Sequence, residues 1–348
     1  MRFGLRHARA AMALVMIPIA IAMVTVEARA QSWDEVIAAA KKEGRMTLYH
    51  NLRPAGVEEL LQKFRGAVPG IQTEQIRLGS GPLNERFRTE FAAGRNAADV
   101  LITFPDADFM KEIPNWFMTW QPPELKGNYP DGTSVQDRMF VIQQVRESIV
   151  WNTNLVKSAD APKEWADLFD PKWKGKVGLN TPWRSISVQQ MFAYWDKIGI
   201  KDAAERMKAN EVRFFEGSSG IVQAIIRGDV AVAHMTDIPL NAMLDDGAPI
   251  GFTYPPSGTT TSDALAGVSQ KAPHPNAGRV FLNWLMSKEG QAILVETGGL
   301  SVTRKGAPSL SRLPATSALP KAVDGMTVLP ADVQAALIEH WRKVFGVK

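Results

Sequence analysis

The hydrophobic positions change period along the chain, and the changes mark its elements. "SWDEVIAAAKKEGR" is amphipathic at helical spacing, with Ser32 placed to cap the helix and Gly44 to end it. "MTLYH" follows as a strand, and Pro54 opens a helix through "GVEELLQKF". "GIQTEQIRL" reads as a second strand. "GSGPLNERFRTEFAAGR" is a Gly-rich turn leading into a helix, and "AADVLITF" is a third strand. Strand, loop and helix recur in that order, which predicts α/β layers around a mostly parallel sheet.

The pattern then stretches out. "FVIQQVRESIVWNT" is a long extended segment, and "APKEWADLFDPKWKGKVGL" has the proline punctuation of a turn, a short helix and a new strand. A second α/β unit follows. "RSISVQQMFAYWDKIGI" and "IKDAAERMKA" are helical, "VRFFEG" is a strand, "SSGIVQAIIRG" a helix, and "DVAVAHM" a buried strand delivering the tip "HMTDIP" to an edge. "GFTYPP" and "ALAGVSQ" read as extended. "HPNAGRVFLNWLMSKEGQAILVETGG" gives two helices ended by Gly298 and Gly299, and "PADVQAALIEHWRKVF" a last one. The spacing predicts two lobes joined by two extended hinge crossings, near 142–152 and 262–270, with a cleft between the lobes. Expected boundaries are 31–145 plus 265–318 for the first lobe and 146–264 plus 319–348 for the second. Ligands of such sheets sit beyond the carboxyl ends of the strands, so the residues after each strand are the candidates.

Composition changes this picture in two places. Residues 1–30 combine Arg2, Arg6 and Arg9, the apolar run "AAMALVMIPIAIAMVTV" and a terminal "ARA", which predicts a secretory signal cut after Ala30. With Arg29 and against Glu27, that leader carries three of the four net positive charges of the chain. The expected mature protein is therefore near neutral, which argues against a nucleic-acid or membrane-surface partner. No cysteine is present, so neither disulfides nor an N-terminal lipidated cysteine is expected. No second long apolar run follows the leader. A soluble periplasmic monomer is expected.

Sequence motifs for catalysis are missing. The chain has no P-loop, no G-x-G-x-x-G, no H-E-x-x-H and no G-x-S-x-G. "EGSSG" lacks the elbow spacing of a serine nucleophile, although a serine hydrolase built from Ser219, Asp237 and a histidine stays open as an alternative. No cofactor and no resident metal are expected.

Five stretches together carry a resemblance: "RTEFAAGRNAADVLI", "VWNTNLV", "EWADLFDPKWKGKVG", "GSSGIVQAIIRGDVAVA" and "HPNAGRVFLNWLMSKEGQ". In this order, behind a signal peptide, they resemble the solute-binding proteins of ATP-binding-cassette importers, in the ferric-iron, phosphonate and sugar-phosphate branch. The resemblance covers nearly all of the expected mature chain. It implies the type-II periplasmic binding fold, an α/β architecture in which two lobes close on a solute and hand it to an inner-membrane permease. In the ferric binders the strand after a "GD" turn ends in tandem tyrosines, and the matching positions here are Ile238 and Pro239. Other iron-ligand positions correspond to Arg53, Phe104 and Trp151. Ferric iron wants phenolate or carboxylate oxygens, and no two of Tyr49, Tyr129, Tyr194 and Tyr254 are adjacent. The resemblance thus implies a binder whose iron chemistry is replaced, with a ferric or other metal binder as the alternative.

Four loops remain to face the cleft from helix starts, where free N–H groups and the helix dipole favour anions. They carry Arg53; Ser80 with Gly81; Trp183, Arg184 and Ser185; and Ser218 with Ser219. Phe104, Trp151 and Trp183 are expected to cover an organic body. Thr236 and Asp237 are expected to offer a hydroxyl and a carboxylate to the solute. The expected ligand is a small organic anion: a phosphonate, a sugar phosphate or a carboxylate.

Overall fold

The structure, a computed structural model, describes Met1 and residues 31–52, 54–183, 185–296, 299–314 and 322–347. The expected signal segment, 2–30, and the candidates Arg53 and Arg184 lie outside the described residues.

The amphipathic pattern yields helix α1 (Trp33–Glu43), stopped at Gly44 with φ +66°, and then strand β1 (Arg45–His50). Helix α2 (Pro54–Ala67) and strand β2 (Gln72–Arg77) follow, then α3 (Ser80–Ala92) and β3 (Val100–Thr103). Helix α4 (Ala107–Trp116) is an element the sequence pattern conceals, because Pro114 interrupts it. Asp106 caps it, accepting from the Phe109 N–H at 2.8 Å. The short β4 (Ser134–Val135) precedes β5 (Met139–Asn152), a strand of 14 residues. Two short 3-10 turns (Trp165–Phe169 and Pro171–Trp173) lead to β6 (Val177–Asn180).

The second unit holds α5 (Ile186–Lys197), α6 (Ala203–Ala209), β7 (Arg213–Phe215), α7 (Ser218–Arg227) and β8 (Val232–Thr236). A one-and-a-half-turn helix α8 (Leu240–Asp245) and strand β9 (Ile250–Thr253) come next. Strand β10 (Thr259–Val268) starts earlier than its apolar stretch suggests. Helices α9 (Pro275–Leu285) and α10 (Lys288–Glu296), strand β11 (Ala322–Asp324), α11 (Gly325–Val328) and α12 (Ala331–Phe345) complete the described elements.

The strands order as β2-β1-β3-β10-β5-β8-β6-β7, with β4 and β9 on β5 and β11 on β10. Pairing is parallel among β1, β2 and β3, and again among β6, β7 and β8. Between these two parallel groups, β10 runs antiparallel to β3 and to β5, and β5 antiparallel to β8, while the short β11 lies parallel to β10. β5 changes partner along its length: Met139–Arg146 pair with β10, and Glu147–Asn152 with β8 and β9. The chain thus has the mixed α/β, two-lobed type-II periplasmic binding fold.

Helices cover the sheet through large apolar faces. Phe64 of α2 meets Phe281 and Trp284 of α9 at ring distances of 5.0 and 5.4 Å. The α9 N-terminus is closed by Glu43, which accepts from Asn276 and from the Ala277 N–H. A second core gathers Trp165, Phe169, Phe192, Trp195 and Trp341. Phe192 and Trp341 stack at 3.9 Å and so fasten α12 to α5. A third packs Phe87 of α3 on Phe109, Trp116 and Phe117. No described helix is long and apolar enough to cross a membrane.

Candidate functional site

A cleft of about 460 Å³ opens at the carboxyl ends of β3 and β8 and the N-terminal ends of α3, α4 and α5. From one side come Ser80, Gly81 and Asn84 of α3, Phe104 and Pro105 after β3, and Asp106 and Met110. From the other come Ile186, Ser187 and Gln190 of α5, Thr236, and Ile238 beyond it. Val145, Ser262, Asp263 and Leu265 on the crossing strands β5 and β10 form its back, with Asp324 of β11.

Local chemistry explains why these groups face it. Asn84 ties α3 to the end of β3: its Nδ2 donates to the Phe104 carbonyl at 3.1 Å, and its Oδ1 accepts from Thr103 at 2.7 Å. The Ser80 hydroxyl accepts from Asn51 Nδ2 at 2.8 Å, so its own proton can be donated to a solute. Neither α3 nor α5 has a side-chain cap, although α4 has one. Ser185 sits at the α5 N-cap position, but its hydroxyl meets that of Ser187 at 3.2 Å rather than a backbone N–H. Two uncapped helix starts therefore flank the cleft from opposite sides.

α5 is also held to the crossing strand. Ser262 donates to Gln190 at 2.9 Å. Gly325 allows this approach, because a Cβ there would run into the Gln190 side chain and the Thr261 carbonyl. Through the same contact, Asp324 lands at the cleft rather than in a loop.

The sequence-predicted candidates divide. Ser80, Gly81, Phe104 and Thr236 line the cleft, and Ser185 lies at its rim through Ser187. Trp151 does not line it; the indole lies over Gly251 of the paired strand β9, where no Cβ would fit. Trp183 is also elsewhere, packed edge-on against Phe214 at 5.3 Å and near Phe345 of α12. Ser218 and Ser219 begin α7 away from the cleft lining, with Ser219 exposed.

Asp237 requires the largest correction. Its carboxylate accepts from the Arg146 backbone N–H at 3.1 Å, from Arg146 Nε at 2.9 Å and from the Tyr254 hydroxyl at 2.9 Å. Side-chain exposures of 1% for Arg146 and 3% for Asp237 make this an internal ion pair, not a solute contact. His234 is likewise internal. Its Nε2 lies 2.9 Å from Glu147, between the rings of Trp165 and Trp195.

The tyrosines are committed too. Tyr49 donates to Glu90, Tyr129 to the Met286 carbonyl, Tyr194 to the Ser257 carbonyl and Tyr254 to Asp237. Among the described residues, no group of three or more His, Asp or Glu side chains is placed to hold a metal ion.

Several lining residues escape sequence reasoning. Asp263 is the main one. Burial and the neighbouring charge of Asp324 push its pKa up to about 7, against donation from Gln144 and Thr261. The signal available for it is the polar pair Ser262-Asp263 set in a strand that is otherwise apolar from Ala264 to Val268.

A strand-ended cleft between two α/β lobes is the geometry of a protein that encloses a small solute. The chain belongs to the bacterial extracellular solute-binding proteins, whose family model matches residues 59–321. It is 25% identical over 295 residues to a periplasmic protein of Salmonella typhimurium provisionally named for 2-aminoethylphosphonate binding, covering 79% of this chain and 83% of that one. Its fold is similar to iron-bound HitA of Pseudomonas aeruginosa, with a TM-score of 0.72, 21% identity and coverage of 85% and 99%. It is also similar to the periplasmic binding protein AfuA of Actinobacillus pleuropneumoniae with fructose-6-phosphate bound, with a TM-score of 0.70, 19% identity and coverage of 88% and 99%.

Proposed function

We propose that this protein captures a small organic anion in the cleft and delivers it to the inner-membrane permease of an ABC importer, as a soluble periplasmic monomer exported by the segment ending at Ala30. The anionic head, a phosphonate, phosphate or carboxylate, lies between the starts of α3 and α5, against Ser80, Gly81, Ser185 and Ser187. Arg53 precedes α2 and Arg184 precedes α5 in sequence, and both contribute to the head. Phe104 and Thr236 contact the rest of the solute. The lobes meet where β5 changes partner, after Arg146, which supports boundaries near 145/146 and 264/265.

The observation that carries this reading is the pair of uncapped helix N-termini facing one cleft. Each offers unpaired N–H donors and a partial positive charge, so together they favour an anion between them. The commitment of all four tyrosine hydroxyls elsewhere supports an organic solute over ferric iron. The burial of Asp237 against Arg146 supports binding over a Ser-His-Asp hydrolase.

The test is a thermal-shift screen of residues 31–348 against phosphonates, sugar phosphates, carboxylates and ferric citrate, followed by calorimetry. A solute at 100 times its Kd adds about 2.7 kcal/mol of stability. Arg184→Ala is expected to weaken the hit about tenfold to a hundredfold, and Arg184→Lys to recover part of that, since lysine lacks the planar fork. A visible charge-transfer band with one bound iron per chain, and no organic hit, would overturn the reading.

A further inference from the structure

The side walls of the cleft are hydrocarbon. Phe104 and Met110 face it from the α3 and α4 side, and Ile186 and Ile238 from the α5 side. Ile186, the first residue of α5, is exposed, and the other three are half-buried, so all four keep apolar surface in contact with water. Val145 and Leu265 continue the apolar surface along the back.

The polar groups of the lining are mostly engaged within the protein. Asn84 is bonded to Thr103 and to the Phe104 carbonyl. Asp106 caps α4, and Gln190 accepts from Ser262. Asp263 and Asp324 stand on the back wall, where Gln144 and Thr261 donate to Asp263. The hydroxyls of Ser80 and Ser187 lie at the two helix starts assigned above to the anionic head. Thr236 is then the one hydroxyl left on the described side walls for the rest of the solute.

A polyhydroxylated body would exchange water for hydrocarbon here, at a cost for every hydroxyl left unbonded. A hydrocarbon body loses no hydrogen bonds on entering and gains in proportion to the area it covers. A ring gains further from an aromatic face and a thioether, which Phe104 and Met110 supply. We propose that the body of the solute is an aryl or branched-alkyl group with few hydroxyls, gripped between Phe104 and Met110 on one wall and Ile186 and Ile238 on the other. This inference rests on the anion-binding reading above and narrows it to amphiphilic anions, away from polyhydroxy phosphates and from short solutes without a hydrocarbon body.

The experiment is calorimetry at pH 7.5 with probes that share a head and differ in body: phenylphosphonate with methylphosphonate, and benzoate with acetate. Glucose-6-phosphate and 2-aminoethylphosphonate serve as references with polar bodies. With at least one head, the wild type is expected to bind the aryl probe about tenfold or more tighter than its methyl partner, and tighter than either reference. The heat-capacity change should be more negative for the aryl probe, as apolar burial requires. Met110→Gln keeps the length and helix preference of the side chain but puts an amide on the wall. It should cut the aryl preference to within about threefold, the loss falling on the aryl probe. Ile186→Thr, on the opposite wall, is read the same way and serves if Met110→Gln does not fold. Equal binding within both pairs, tighter binding of a reference than of either aryl probe, or an aryl preference that survives both substitutions overturns the hydrocarbon body and leaves the anion site standing. Binding of none of the six probes overturns both.

Discussion

Asp237, just after β8, and Asp263, in the middle of β10, show how two carboxylates on strands either side of β5 acquire opposite roles. Asp237 receives an Arg146 side chain, a backbone N–H and a phenol, so its charge is neutralised inside the fold. Asp263 receives only Gln144 and Thr261 and has Asp324 nearby, so its charge is opposed. The sign of the resulting pH dependence follows. A raised pKa of about 7 lies above the ordinary carboxyl value near 4, so the folded chain keeps a proton on Asp263 over a range where the unfolded chain has released it. The stability due to neutral Asp263 is full below about pH 4 and is lost as pH rises through 7. Asn is neutral throughout. Ligand-free Asp263→Asn should therefore be more stable than the wild type at pH 8, by on the order of 2 kcal/mol, with the gap closing toward pH 4. Urea denaturation at both pH values checks this, and a gap that grows on acidification contradicts it.

At the scale of elements, the proposed anion site rests on the starts of α3 and α5, and a single charge can test them apart from the loops. Ser187 is the second residue of α5 and lines the cleft. Ser187→Asp places a carboxylate in the first turn, where the helix dipole stabilises it by about 0.3–1 kcal/mol. The variant should melt slightly higher than the wild type without ligand, yet bind the solute at least tenfold more weakly, because the fixed carboxylate occupies the place of the anionic head. A melt combined with calorimetry reads both effects, and undiminished affinity would remove α5 from the site. These two helices were legible because Gly79 and the serines at 80 and 185 break an otherwise periodic pattern. α4 was not legible, since Pro114 masks its period although Asp106 caps it. Trp151 and Asp237 were misplaced for a shared reason. Strand ends deliver residues to an edge, but sequence does not reveal which side chain meets a partner strand or an arginine 91 positions away. β11 and Asp324 lie in a stretch with no periodicity, and pairing with β10 together with the close approach at Gly325 brings them to the cleft.

For the whole molecule, the antiparallel strands β5 and β10 connect the two parallel groups of strands and also form the back of the cleft. Such a pair can bend without losing ladder hydrogen bonds within either group, and a register shift already sits between Ala264 and Leu265 of β10. The lining supplies a reason to close. Ile186 is 39% exposed at the mouth, and Phe104 and Met110 are only half-buried. Their apolar surface leaves water when the α3 and α5 ends converge on one solute, which adds to the electrostatic gain. Closure therefore requires a ligand that bridges both helix ends. Small-angle scattering should show a smaller radius of gyration with the screened solute at saturation. The same solute at the same concentration should leave Ser187→Asp unchanged, because that variant cannot use the second helix end. An unchanged radius in the wild type, with binding confirmed by calorimetry, would mean that the solute sits on one lobe and that the crossing strands are not a hinge.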